Sequence, residues 1–568
     1  MRCNMKENKE KILLTLFPFW MPLIPPLGIA CLKSYLKSHG YIVKAHDFNT
    51  IVSLRDFYDS YFNTIAEHVP AEKKGNFYSI GQDVLRNHLM AHINKNDEKE
   101  YLNLIKILIY KTFYTHFDDE IIRRLIREME KFYHHFQKIL LGLLDDFKPD
   151  VLGISLFSGN LPTAWFAIKL IKELYPKMRI VLGGGAFADQ LAIGTPNMDY
   201  FLKKVRPYVD KIIIGEGEIL FHKYLKGELN ENQMVYTLKD IDWELLDIKN
   251  ILIPDFSDFP LKVYPNMVSY TSRSCPFQCS FCSETVQWGK YRKRSGQQIV
   301  NELTELYRQY GEQLFFMSES LINPALTDLV EAFLKSNLSI YWDGAIRADA
   351  PVCDTQNTML WRRGGFYRAR IGLESGSQRI LDLMGKKITL QQMQKALQSL
   401  AYAGIKTSTL WLIGHPGERE EDFQSTLDFI TEFRDFIYAA EGTPFWYHLK
   451  GQSNSDEWYK RRSTLLYPES AKEMLIAQTW ILDGDPTREE TYDRLCRFTL
   501  HLEKLDIPTP YSLQDIYNAD TRWQKLHKNA VPPLVDLKNP GRYIDENKKI
   551  MEFSVVRNKM RHDQNWGF

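Results

Sequence analysis

The sequence predicts an α/β protein built from two β/α modules. A doubly wound, Rossmann-like parallel-sheet domain with a helical insertion comes first, followed by a partial (β/α)6 barrel and a small, mostly helical C-terminal domain. Three observations predict it. Short apolar runs alternate with segments of helical spacing over 11–50 and again over 151–225, which is the rhythm of a parallel sheet covered by helices. The same rhythm returns over 266–440 in five or six units, enough for a partial or complete barrel. Between the two, 226–265 mixes charges with prolines and ends IPDFSDFPLKVYPN, the composition of a linker. A chain of 568 residues has room for this, since domains of roughly 150 residues allow about three to four.

Composition narrows the class. Charged residues make up 25% and hydrophobic residues 44%, an ordinary globular mix that excludes a disordered or collagen-like chain. With 72 Lys+Arg against 71 Asp+Glu, the net charge of +1 supplies no global field. Neither nucleic acid nor a membrane surface is therefore expected as a partner. Seven cysteines are too few for a disulfide scaffold, and three of them crowd into 275–282. That is the usage of a reducing compartment, so the expected location is the cytoplasm. An uncharged run of 21 residues between Lys11 and Lys33 nearly reaches transmembrane length. Pro18, Pro22, Pro25 and Pro26 break it into buried strand, loop and helix start. The charged MRCNMKENKEK ahead of it, with no small-residue cleavage site behind, does not read as a signal peptide.

In order along the chain, KILLTLFPF is a strand, LGIACLKSYLKSHG a helix closed by Gly40, and YIVKAHDF a second strand. From 51 to 148 apolar residues recur every three to four positions in a highly charged background, which gives the helical insertion. DVLGISLF, RIVLGGG and DKIIIGEGE are later strands, with LPTAWFAIKLIKELYP a helix, and they complete the first domain at about 225. In the second module VSYTSRSC, QLFFMSES, SIYWDGAIRA, YRARIGLES and KTSTLWLIG are strands. Helices lie between them near 296–310, 324–336, 376–384, 390–403 and 419–435. From 441 to 568 the rhythm is lost, and a separate capping domain is expected there.

The strongest chemical signal is Cys275-Pro-Phe-Gln-Cys279-Ser-Phe-Cys282, directly after the first strand of the second module. Three thiolates around a 4Fe–4S cube leave the fourth iron open to an outside ligand, whereas structural zinc takes four closed ligands. Spacing alone also permits a zinc knuckle that borrows a distant ligand, or three buried cysteines.

The C-x3-C-x2-C run with aromatic Phe281 before its third cysteine resembles the signature of the radical S-adenosylmethionine (SAM) superfamily, and the resemblance covers about 266 to 435. It implies a 4Fe–4S cluster on Cys275, Cys279 and Cys282, with SAM chelated to the open iron and cleaved reductively to a 5′-deoxyadenosyl radical. Further segments resemble the family. FFMSESLIN places Glu319 where Asp is usual, GAIRAD places Arg347 at a strand end, and RIGLESGS places Glu374 and Ser375 at the next. With Phe281, these are the residues that the resemblance puts against SAM. Taken singly, each is equally an ion pair or polar contact at a barrel rim. LIGHPGE at 412–418 completes the set, its Pro416 and Gly417 being as well explained by turn chemistry. The resemblance also implies an electron donor such as flavodoxin or ferredoxin.

In a doubly wound sheet, ligands sit at the carboxyl ends of the strands. The loops there are PLIPPLG, SLFSGN, GGGAF and GEGE, with Pro25, Gly28, Ser155, Ser158, Asn160, Gly183, Gly184, Gly185, Gly215 and Glu216 as candidates. Ser155 precedes Gly183 by 28 residues, which resembles the S-x-L and GG spacing of cobalamin-binding domains. The whole arrangement resembles the cobalamin-binding class of radical SAM enzymes, and cobalamin is the third expected cofactor. The D-x-H-x-x-G motif that supplies a lower histidine ligand is absent, His46-Asp47 having the reverse order, so no histidine ligand to cobalt is expected; the fold without cobalamin stays open. Gly183-Gly-Gly185-Ala-Phe-Ala188 matches G-x-G-x-x-A, but it follows a late strand and lacks the acidic residue of a nicotinamide site.

His134 and His135 are adjacent on a helix and point different ways. Trp446, Tyr447, Trp458 and Tyr459 suit a core as well as a substrate channel. Cys353 and Cys496 are free thiols, able in principle to donate a hydrogen atom but more simply buried side chains. Three functions remain open. The first is methylation of an unactivated carbon of a peptide or small-molecule natural product, through the 5′-deoxyadenosyl radical and methylcobalamin. The second is rearrangement, cyclisation or epimerisation on the same fold, and the third is a non-catalytic iron–sulfur or zinc protein. A tRNA methylthiotransferase would need a further N-terminal cysteine set, which Cys3 and Cys31 do not supply.

Overall fold

The computed structural model describes residues 10–19, 23–336, 338–510 and 512–537; Cys3 and Pro22 lie outside them. Two compact units are present. Described residues within 1–71, 80–264 and 448–481 form one, and those within 72–79, 265–447 and 482–568 form the other.

The first unit opens with β1 (Lys11–Leu16), α1 (Leu27–Ser38) and β2 (Ile42–Asp47). The insertion follows as α2 (Val52–Ala66), α3 (Phe77–Asn94), α4 (Glu98–Phe113) and α5 (Asp119–Phe147). The alternation then resumes with β3 (Val151–Ser155), α6 (Leu161–Leu174), β4 (Arg179–Gly183), α7 (Pro196–Val205), β5 (Lys211–Ile214), α8 (Gly217–Leu225) and β6 (Val235–Thr237). All six strands are parallel, in the order β2-β1-β3-β4-β5-β6. Winding reverses between β1 and β3, the switch point where such sheets bind ligands. β1 lies inside because Ile12, Leu13 and Leu14 bury both faces. The 29-residue α5 buries Ile122, Leu125, Met129, Phe132, Phe136 and Leu140 at helical spacing. Asp118 caps its first turn, and Lys148 ends it in the left-handed region.

The stretch 226–265 is not a linker. β6 adds the sixth strand, and the remainder is tied to the sheet. Lys33, buried on α1, pairs with Asp255 at 3.2 Å and Asp258 at 2.6 Å. The Tyr264 hydroxyl donates to Asp47 at 2.8 Å. Its charges and prolines look like linker composition because the partners that neutralise them lie some 220 residues away in sequence.

The second unit contains β7 (Met267–Ser269), β8 (Ser272–Arg273), α9 (Glu284–Trp288), β9 (Arg292–Lys293) and α10 (Gly296–Tyr310). It continues with β10 (Leu314–Met317), α11 (Asn323–Lys335), β11 (Tyr341–Ile346), α12 (Thr355–Arg363) and β12 (Phe366–Glu374). α13 (Gln378–Leu383), α14 (Leu390–Tyr402), β13 (Lys406–Ile413), α15 (Glu420–Phe433) and β14 (Ala439–Pro444) complete it. Its main sheet is parallel in the order β14-β13-β12-β11-β10-β7. The six strands follow one another in the order they occur in the chain, each β/α step adding a strand on the same side, as in a partial barrel. VSYTSRSC is broken after Ser269, because Ser272 and Arg273 leave the sheet to pair with Lys293 and Arg292.

Residues 441–568 do not form a third domain among the described residues. β14 belongs to the barrel sheet, and 448–481 group with the first unit, where the Tyr467 hydroxyl donates to Asp83 at 2.6 Å. The helix Arg488–Lys504 lies against β14 so closely that a Cβ on Gly442 would meet Phe498 at 2.7 Å. Trp523, fully buried, packs with Ala401, Tyr438 and Ala439. Tyr467 thus belongs to the first unit, and Phe498 and Trp523 to the core of the second. No helix among the described residues is long and apolar enough to cross a membrane.

Candidate active site

The cysteine loop begins where β8 ends. Ser274 takes a left-handed conformation (φ 72°), and its hydroxyl donates to Gly289 at 2.6 Å, closing the loop at its base. Cys282 N donates to Cys279 O at 3.0 Å, which makes a tight turn of the C-x2-C step. Between them, Ser280 N donates to Met384 O at 2.8 Å, and the Ser280 hydroxyl lies 3.0 Å from Nε2 of buried His415. Cys279 is buried, Cys275 and Cys282 half-buried. Burial pushes the Cys275 thiol up, and it pushes Cys282 up to about 11 with Glu284 and the other two thiols adding to it. Thiols raised in this way ionise only with positive charge beside them. No three His, Cys, Asp or Glu side chains among the described residues converge as a single ion would require. A cubane makes no such demand, since each cysteine ligates its own iron. The donor set of three thiols on one loop fits the cluster.

Arg347, at the end of β11, lies against this loop. Its guanidinium is 3.6 Å from the ring centre of Phe277, between the first two cysteines. It donates to the Lys386 carbonyl and to Lys387 O at 3.4 Å, while its buried Nε has no hydrogen-bond partner. Burial lowers its pKa, and the negative charges of Cys279, Asp349 and Cys275 act in the opposite sense. Glu374, at the end of β12 with φ 66°, pairs with Lys386 at 2.7 Å, so Arg347, Lys386 and Glu374 form one connected set. Glu319, after β10, is buried. Its Oε1 accepts from Thr271 N at 2.8 Å and from the Thr271 hydroxyl, and its Oε2 has no partner. Phe281 packs on Ile380, Met384 and Leu412. Ser375 turns inward: fully buried, it accepts from Ser377 N at 3.1 Å and lies 3.4 Å from Thr426 on α15. The structure therefore joins the cysteine loop, Arg347 and Glu374, holds Glu319 against Thr271 just ahead of that loop, and leaves the Ser375 side chain engaged with α15.

His415, Lys386, Phe277 and Thr271 are part of this arrangement and were not anticipated. His415 had a signal, the LIGHPGE segment, in which only the proline and glycine attracted attention. Lys386 and Thr271 had none, because their partners are brought to them by the sheet.

Burial raises the Glu319 carboxyl from 4.5 to about 7. The folded state then holds this proton more tightly than the unfolded chain, so the contribution of Glu319 to stability falls as pH rises from about 4.5 to about 7. Glu319→Gln keeps an acceptor for Thr271 and removes the buried charge. Thermal unfolding of the variant at pH 8 should occur a few degrees higher than for the parent, with no difference at pH 4; a lower midpoint at pH 8 would contradict the assignment.

In the first unit, Ser155 and Gly183, 28 positions apart in sequence, are register neighbours at the carboxyl ends of β3 and β4. Gly28, Gly184 and Gly215 are exposed along the same edge, Ser158 is half-buried, and Pro25 and Glu216 are buried. Nothing lies within 4 Å of a Cβ built on Gly28. Gly184 is different: φ is 105°, and a Cβ would meet Leu156 O at 2.5 Å. Gly185 faces the Phe157 ring at 3.0 Å. Asn160 is buried, accepting from Phe157 N at 2.8 Å and donating to Ser155 O at 2.9 Å, so it shapes the loop. His46 on β2 packs edge-on to Phe48, its pKa lowered to about 4 by burial.

The remaining candidates are scattered. His135 meets Ser53 at 2.7 Å while His134 is exposed. Tyr447 and Trp458 are buried, Trp446 is half-buried, and Tyr459 is exposed. Burial pushes both Cys353 and Cys496 up to about 11, an environment of inert thiols.

A six-stranded parallel β/α sheet with three cysteines on the loop that follows its first strand is the arrangement of a radical SAM domain, a class that works with a 4Fe–4S cluster and SAM. Residues 269–430 match the model of the Radical SAM superfamily, and this part of the chain is a radical SAM domain. An uncharacterized methyltransferase of Pyrococcus horikoshii is 26% identical over 348 residues, 55% of this chain and 73% of that protein. The anaerobic magnesium-protoporphyrin IX monomethyl ester cyclase of Rubrivivax gelatinosus is 26% identical over 331 residues, 52% of this chain and 57% of the cyclase. Among solved structures, the radical SAM methyltransferase TsrM from Kitasatospora setae, with cobalamin and a 4Fe–4S cluster bound, superposes with TM-score 0.54. That match covers 97% of this chain and 100% of TsrM at 13% identity. TsrM with tryptophan substrate and a SAM analogue gives TM-score 0.58 over 96% of this chain and 100% of TsrM at 12% identity. The fold of both units is shared with that enzyme.

Proposed function

We propose that the protein is a cobalamin-dependent radical SAM methyltransferase acting on an unactivated carbon of a peptide or small-molecule natural product. The observation that carries the reading is the pairing, in one chain, of a glycine-edged doubly wound sheet with the cysteine-bearing barrel, the pairing also present in TsrM. In this reading Cys275, Cys279 and Cys282 hold the cluster. Arg347 and Glu319, with their unpartnered buried atoms, and Glu374 hold SAM against it. Cobalamin takes the edge formed by Gly28, Ser155, Gly183, Gly184 and Gly215. Reductive SAM cleavage supplies a primary carbon radical, and cobalamin supplies a transferable methyl group. The protein positions the groups: Phe277 fixes the Arg347 plane, Lys386 orients Glu374, and Ser280 with His415 anchors the loop. A reducing cytoplasm suits an oxygen-sensitive cluster, and a carrier such as flavodoxin or ferredoxin is the electron donor.

Counting products tests this. Methylation by radical chemistry should yield one 5′-deoxyadenosine and one S-adenosylhomocysteine per methylated product. The cyclase similarity favours a second reading, ring formation without methyl transfer. Turnover that produces 5′-deoxyadenosine and no S-adenosylhomocysteine would select that reading and exclude the first.

A further inference from the structure

The segment that leaves the cysteine loop carries a charge pattern that the active site does not use. Between Glu284 and Glu302 the chain reads TVQWGKYRKRSGQQIVN, with four cations and no carboxylate, in a protein of net charge +1. Arg294 is spent internally, paired with Glu302 at 2.7 Å and donating to Tyr270 O at 3.0 Å. Lys290 and Lys293 are exposed, and neither has an ion pair among the described residues; Lys293 reaches the Pro324 carbonyl at 3.3 Å.

These lysines sit at the base of the loop. β9 pairs with β8, whose last residue is two positions before Cys275, and α9 begins two positions after Cys282. Arg273 spreads over the rings of Tyr270 and Trp288 at 5.5 and 5.9 Å. Val286, 53% exposed, lies in the first turn of α9, four positions after Cys282. Exposed Val286 and the exposed Lys290 and Lys293 thus all lie on the short segment that leaves the cluster loop, close in sequence to its second end.

We infer that this edge, which carries Val286, Lys290 and Lys293 on the segment leaving the cysteine loop, is the docking surface for an acidic one-electron carrier protein that reduces the cluster. The inference rests on the radical SAM reading. One electron leaves the carrier and enters the cluster, and no bond forms or breaks at the surface. A chain with no global field needs such a local patch to steer and orient an acidic partner.

The test uses the reconstituted full chain and, as probe, a flavodoxin of net negative charge. Lys290→Glu with Lys293→Glu should weaken flavodoxin binding at low salt about tenfold and flatten its salt dependence. Flavodoxin-driven SAM cleavage should fall in parallel, while dithionite-driven cleavage and iron content stay at the parent level. The milder pair Lys290→Gln with Lys293→Gln covers the case in which charge reversal prevents folding, and should weaken binding about threefold. Unchanged flavodoxin affinity in either folded pair overturns the inference. A parent protein that binds flavodoxin but cleaves no SAM with dithionite would instead count against the radical SAM reading, and the binding comparison would still decide the surface.

Discussion

Replacing Cys275, Cys279 and Cys282 together by alanine is expected to abolish iron binding and SAM cleavage together. After anaerobic reconstitution the parent should hold about four irons and show the broad ~400 nm absorption of such a cluster. The variant should show neither. The loop itself is held by Ser274, Ser280 and the Cys282–Cys279 turn, whose bonds are backbone or serine contacts, so it should keep its shape without the thiols. The expected loss is therefore in chemistry and not in folding, and 5′-deoxyadenosine formation should drop to background. Cobalamin affinity should be unaffected, because the glycine edge belongs to the other unit. A triple variant that kept four irons would remove the cluster assignment.

Gly184→Ala should have the largest effect on folding of any single change at the glycine edge. Its φ of 105° is a conformation L side chains rarely adopt, and the added Cβ would lie 2.5 Å from Leu156 O and 2.6 Å from Leu156 N. Both are backbone atoms held in place: Leu156 N donates to Gly183 O at 2.7 Å, and Leu156 O accepts from Ala186 N at 3.0 Å. Neither can move without breaking the β3–β4 connection, so the cost should be roughly 3–5 kcal/mol. Thermal unfolding of the cofactor-free protein should show it. Gly28→Ala, with open space around the new Cβ, should leave the unfolding midpoint unchanged and instead weaken cobalamin binding. Equal, small effects of both substitutions on stability would mean that the β3 and β4 loops are not packed as described.

These two glycines show where sequence reading stops. Gly184 lies in the loop after β4 and Gly28 in the first turn of α1, and the reason for each glycine differs. Gly184 is required by the chain's own backbone, and Gly28 leaves room beside a strand end. Only the positions of Leu156 and of the neighbouring loops separate the cases. Ser375 makes the same point in the barrel. Its neighbour Glu374 remains with the cysteine loop through Lys386, while the Ser375 hydroxyl is turned toward α15 by the left-handed backbone at Glu374.

What the sequence determined by itself was local or periodic. Alternating apolar runs and helical spacings specify the β/α units, since burial on both faces of a parallel strand and on one face of each helix can be read residue by residue. The cysteine spacing specifies the donor set for the same reason. What only the tertiary structure decided were the partnerships across long separations. Lys33 with Asp255 and Asp258 turned an apparent linker into part of the first unit. Trp523 and Phe498, 80 or more and about 55 residues from Tyr438 and Gly442, turned an apparent third domain into the wall of the barrel unit. His415 reached Ser280 across 135 residues. A buried charge or aromatic declares by its type that it needs a partner, and which partner it finds depends on how strands and helices pack, a long-range property that no window of sequence contains.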